Sequence, residues 1–190
     1  MERWVADFDS WAVCDGACLN LFRWTPSAYQ KCFEWSSRPE QYVKRAAFAL
    51  MAGLAVSDKA ASDQAFLAFL PIIAREASDE RNFVKKAVNW ALRQIGKRNR
   101  RLNRAALRSA RAIHRLDSPS ARWIASDALP ELASDAVQKR LKSKRPSAKF
   151  TVNSRKARYP RKRALRRCAG VPPVMATAKM AVPRQHKPTA

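Results

Sequence analysis

A chain of 190 residues with 38 Lys and Arg against 15 Asp and Glu carries a formal charge of +23, a field that draws polyanions, nucleic acid before anionic membrane. Hydrophobic residues at 47% suffice for a core, and only 4 glycines among many Ala, Leu, Lys and Arg point to helices rather than strands. No run approaches the roughly 20 apolar residues of a membrane span, and the charged, tryptophan-rich start does not read as a signal peptide. A cytoplasmic protein with reduced thiols and no membrane partner is therefore expected.

The charge is uneven. From Ser143 to Ala190 there are 14 Lys and Arg and no acidic residue, and residues 1–142 carry the remaining +9. The folded part is thus basic without help from the tail.

In chain order, the first predicted helix runs from Asp9 to Phe22. Cys14, Ala17 and Leu21 face the core, and Trp11 and Asp15 are i, i+4 neighbours on another face. Cys14, Cys18, Cys32 and Cys168 are expected to be reduced; Cys14 and Cys18 lack further ligands at metal spacing and read as small apolar side chains, and no metal is expected. The next informative helix, Pro39 to Leu54, has a core stripe of Val43, Ala47, Leu50 and Leu54, with Arg45 turned the other way beside Gln41 and Ala52.

From Asp79 to Lys97, the residues Val84, Val88, Ala91, Leu92 and Ile95 form an apolar stripe. Lys86, Trp90, Arg93 and Lys97 occupy the opposite sector. A flat ring among cations suits a nucleic-acid surface, cations for phosphates and ring for sugar or base; the alternative is a tryptophan packed on a neighbouring helix. Ser78 or Asp79 is an N-cap candidate for this helix, and Ser118 before Pro119 is another.

Val43-Lys44-Arg45-Ala46 is echoed 41 positions later by Val84-Lys85-Lys86-Ala87, and more loosely by Arg122-Trp123-Ile124-Ala125. A period near 40 with two helices per repeat is that of HEAT-type arrays. The expected fold is all-α: HEAT-like helical repeats forming a curved solenoid over residues 1–142, with Arg45 beside the Lys86 and Trp90 face. Residues 143–190 mix Pro, Ser and Ala with runs such as Arg161-Lys162-Arg163. They read as a disordered basic tail, a non-specific grip on anionic surfaces.

The segment Phe8-Asp9-Ser10-Trp11-Ala12-Val13-Cys14-Asp15 resembles the W-x-x-x-D region of the DNA-alkylation-repair glycosylase family, built from HEAT-like repeats. Val43 to Phe48, Asp79 to Arg93 and Ala121 to Leu129 are similar to that family's later repeats, in collinear order over roughly residues 4–141. The resemblance implies excision of cationic N3- or N7-alkylated purines from double-stranded DNA without a cofactor. Asp15 would be the catalytic carboxylate, Trp11 and Trp90 the aromatic walls about the deoxyribose, and Arg45 a phosphate contact; Lys86, Arg93 and Lys97 complete the expected DNA-binding set. An alkylated purine already carries positive charge and leaves without a general acid, so one carboxylate can stabilise the oxocarbenium-like sugar and place a water, while indole faces suit a developing cation. His114, the array's only histidine, lies away from this cluster.

The family pattern departs in two places. Ala12 stands where an Asp commonly follows the tryptophan. The family also carries repeats ahead of this point, so a short array with an apolar N-terminal end is expected. A monomeric, nucleoid-associated glycosylase is the leading expectation; a catalytically silent HEAT-like DNA-binding module or a protein-interaction scaffold is the alternative.

Overall fold

The computed structural model describes residues 1–143. Except for Ser143, the segment read as a basic tail lies outside the described residues, and so does Cys168.

Ten helices make up the described chain: α1 (Glu2–Ala6), α2 (Trp11–Asn20), α3 (Ala28–Ser36), α4 (Gln41–Ser57), α5 (Asp63–Leu67), α6 (Leu70–Arg75), α7 (Asn82–Gly96), α8 (Arg100–His114), α9 (Pro119–Ala133) and α10 (Asp135–Ser143). Short 3-10 turns follow α2 and α6, and no strand occurs among the described residues. The architecture is an all-helical repeat. Helices α2, α4, α7 and α9 lie side by side as one row; α3 packs on α4, and α8 packs on α7 and α9 while also meeting α5 and α6 in a second row. The echoed sequences sit on α4 and α7, which are neighbours in the first row.

Side-chain caps fix several helix starts. Ser10 Oγ accepts the Val13 N–H at 3.3 Å, Asn99 Oδ1 that of Leu102 at 2.9 Å, and Ser118 Oγ that of Ala121 at 3.3 Å. Ser118 caps α9 as its sequence predicts, ahead of Pro119. The other expected cap lies slightly upstream of its helix: Asp79 accepts the Arg81 N–H at 3.1 Å, and α7 begins at Asn82.

Helix α4 is the centre of the unit. Every residue from Arg45 to Ala55 is buried, because α2, α3 and α7 all pack against it. Phe48, Leu50 and Met51 fill volume, while the small residues between them let neighbouring helices close in. In α7 the predicted stripe is the core stripe: Val84, Val88, Ala91, Leu92 and Ile95 are wholly buried. Cys14 and Cys18 are buried free thiols, as expected of small apolar side chains, and Cys32 is buried with them.

Leu21 departs from the helical wheel: it is 46% exposed, and Cys18 is buried in its place. Helix α2 ends at Asn20 and the chain tightens into the 3-10 turn Phe22–Trp24, so Leu21 leaves the wheel's geometry. Trp4 and Trp24 are exposed with it, and an open cleft between α1 and this turn is lined by Trp4, Leu21 and Phe22.

Close approach sets one glycine. A Cβ on Gly96 would stand 2.6 Å from Leu132 Cδ2 and 3.0 Å from Ala106 Cβ. Gly96→Ala is therefore expected to destabilise by about 1–3 kcal/mol through overpacking, outweighing a helix-propensity gain of about 1 kcal/mol. Chemical denaturation measures the difference; equal or higher stability in the variant would mean that Leu132 has room to yield.

Candidate functional site

Trp11 opens α2 directly after the Ser10 cap and is 52% exposed. One turn later Asp15 meets Arg45 of α4 in a bidentate pair, Nε to Oδ1 at 2.9 Å and Nη2 to Oδ2 at 2.7 Å. Nη1 of the same guanidinium donates to the Phe83 carbonyl at the start of α7, at 2.6 Å. One arginine thus ties three consecutive first-row helices together. Its side chain is 8% exposed and that of Asp15 is 17% exposed.

The arginine reads differently in structure than in sequence. Arg45 does turn away from the second row, as the wheel requires, yet it is buried, because α2 and α7 flank that side of α4. A helical wheel gives direction and carries no knowledge of neighbours. Three of the five guanidinium N–H groups are engaged by Asp15 and Phe83.

Trp90 is half-buried and packed on the core. It lies seven residues after Phe83 on the same side of α7, about 10 Å along the axis. The structure therefore joins Trp11, Asp15 and Arg45 in one cluster and places Trp90 two turns beyond the carbonyl that receives Arg45. Of the expected cations, Lys86 is exposed. Arg93 and Lys97 are not free: both pair with Glu131 of α9 at 2.6 Å, and Arg93 also approaches Asp127 at 3.3 Å. Burial opposes ionisation of Glu131, but the hydrogen bonds and charges of Lys97 and Arg93 win and hold its carboxyl below the usual range.

Sequence reasoning passed over these counter-ions, although the pattern was available. Asn89 and Arg93 meet Asp127 and Glu131 at the same offset of 38 residues, close to the repeat period, with hydrogen bonds of 2.6 Å for Asn89 to Asp127 and for Arg93 to Glu131. Lys85 likewise covers the Trp123 ring, 5.5 Å from its centroid.

A second ionic knot braces the α4–α7 junction. Lys44 pairs with Glu76 at 2.5 Å and Asp79 at 3.3 Å, and Arg81 pairs with Asp79 at 2.6 Å. Burial pushes the Asp79 carboxyl up, but Arg81's hydrogen bonds and charge, aided by Lys44, bring it below its ordinary value. A depressed carboxyl contributes stability in full above its unfolded value, about 3.9, and loses it as pH falls through the folded one. Asp79→Asn is expected to reduce stability near neutrality and to flatten the decline in acid. Unfolding midpoints from pH 6 to 2 test this; parallel pH curves would remove Asp79 from the linkage.

No group of three or more potential metal ligands occurs among the described residues. A basic, all-helical repeat with one arginine-held carboxylate below an exposed tryptophan defines the class: a helical-repeat protein bearing a single-carboxylate site. The family model for DNA alkylation repair enzymes matches residues 1–132, and the chain belongs to that family. No curated protein and no solved structure matches it. Family membership makes repair of alkylated DNA its role and DNA its partner.

Proposed function

We propose that the protein is a DNA glycosylase that hydrolyses the N-glycosidic bond of cationic N3- or N7-alkylated purines in duplex DNA. The observation that carries this reading is the Asp15 carboxylate, fixed by Arg45 one turn below an exposed Trp11. As the C1′–N bond breaks, its electron pair passes to the purine and cancels the positive charge there. Asp15 faces the oxocarbenium-like sugar, orients a water and takes the proton that the water loses on bonding to C1′. Each carboxylate oxygen retains lone pairs beyond those given to Arg45.

The indoles of Trp11 and Trp90 flank the sugar and stabilise the cation through their ring faces. Arg45 positions the carboxylate, and its two remaining N–H groups are the ones to reach a phosphate. Lys86 contacts the backbone directly, whereas Arg93 and Lys97 exchange Glu131 for phosphate when DNA arrives. The enzyme acts as a monomeric HEAT-like array held on the nucleoid by its DNA.

The decisive experiment is free-base release from a duplex carrying 7-methylguanine, with the parent and with Asp15→Asn. Release by the parent alone supports the reading; no release by either folded protein makes the chain a silent DNA-binding module. Trp90→Ala is expected to lower release about tenfold or more while changing duplex affinity far less, since the ring's contribution rises with the sugar's charge. Unchanged release would leave Trp90 a packing residue.

A further inference from the structure

Helix α8 carries six arginines, Arg100, Arg101, Arg104, Arg108, Arg111 and Arg115 counting its C-cap, and all six are exposed. At 100° per residue they fall within a sector about 100° wide. Leu102, Ala106, Ala110 and Ile113 are buried on the opposite side, against α7 and α9. Helix α7 turns its own buried stripe inward and Trp90, Arg93 and Lys97 away. The two packed helices therefore present their polar faces in opposite directions, and the arginine stripe looks away from the Asp15 site.

Nothing in the fold accounts for the stripe. Among the described residues these six arginines make one ion pair, Arg101 to Asp63 at the long distance of 3.9 Å, and no acidic residue lies between Asn99 and Leu116. Like charges at i, i+4 weaken a helix, and Arg100 and Arg101 stand at the N-terminal end, where the dipole disfavours cations. The site-side cations Arg93 and Lys97, by contrast, are neutralised by Glu131.

We propose that α8 is a second DNA-binding surface, gripping the phosphate backbone of a duplex segment other than the one held at the Asp15 site. From Arg100 to Arg115 the stripe extends about 22 Å, a length over which duplex DNA presents about 13 phosphates. Guanidinium forks match phosphate oxygens bidentately. The helix has no Phe, Tyr or Trp on which a run of unpaired bases would stack, and its one imidazole, His114, lies at its last residue, which favours duplex over single strand. Of the large hydrophobics on or next to α8, only Leu116 is exposed, too little for insertion into a membrane. The protein thus bridges two DNA segments while working on one. This inference rests on DNA being the partner and is independent of base release by Asp15.

The test uses the full chain and two undamaged duplexes labelled as energy-transfer donor and acceptor. The parent is expected to bring them together, and R104Q/R108Q/R111Q to lose most of that transfer. The slope of log affinity against log salt for the second duplex should fall by about 2.7, or 0.9 per arginine, with release from a 7-methylguanine duplex unchanged. If the triple variant melts below the parent, the three single substitutions replace it, each lowering the slope by about 0.9. No transfer with the parent, or equal transfer with the variants, overturns the proposal. So does a parallel loss of transfer and base release at unchanged melting temperature, which would merge the stripe with the Asp15 site. A parent that bridges duplexes without releasing base would sink the glycosylase reading and leave this one standing.

Discussion

Arg45→Ala is expected to cost about 3–5 kcal/mol, the range for removing one partner of a buried ion pair. The side chain satisfies both oxygens of Asp15 and the Phe83 carbonyl from a site only 8% exposed. Its loss strands a carboxylate 17% exposed, which water can reach only in part. Arg45→Met keeps much of the volume and should recover part of the packing loss but none of the charge penalty. A double-mutant cycle with Asp15→Asn isolates the pair, with a coupling of about 0.5–3 kcal/mol for residues in contact. Coupling near zero would show that the arginine matters only as filler.

Asp15→Asn is expected to abolish most base release, about 100-fold to 1000-fold, the scale seen when one preorganised group facing a developing charge is removed. Duplex affinity should stay level or rise slightly, because a negative charge beside phosphate is gone. The structure adds a second consequence. The asparagine can still accept one hydrogen bond from Arg45, yet the buried guanidinium loses its counter-charge, and stability should drop by about 1–3 kcal/mol. Release must therefore be compared well below the variant's unfolding midpoint. A folded Asp15→Asn protein with parental turnover would remove Asp15 from the chemistry, and one with restored stability but no turnover would separate the two roles.

The parts of this molecule that follow from local periodicity were legible in its sequence. The buried stripe of α7, the echo between α4 and α7, the Ser118 cap and the buried thiols all depend on spacing within one helix or on one repeat length. What escaped depends on which helices become neighbours. Arg45 has an outward direction on its own wheel and a buried position only because α2 and α7 close over it. Glu131 and Asp127 carry no signal of their own until α9 is laid beside α7, where they pair with Arg93 and Lys97, two of the cations assigned to DNA. Leu21 failed for a smaller reason, a helix that ended two residues early. The Trp11, Asp15 and Arg45 grouping came from family resemblance; spacing alone supplied only the first two.

The enclosure of α4 has a further consequence, for hydrogen exchange. Amides protected by the global unfolding reaction are those in elements with no solvent-facing edge, and here they should be the amides of residues 46–55. The guanidinium that holds Asp15 springs from the first turns of that same helix. Local opening that exposes short elements such as α1, α5 or α6 leaves the carboxylate's anchor in place. The Asp15–Arg45 geometry should then persist up to the temperature at which the whole unit melts, with exchange at α4 and loss of the pair sharing one free energy.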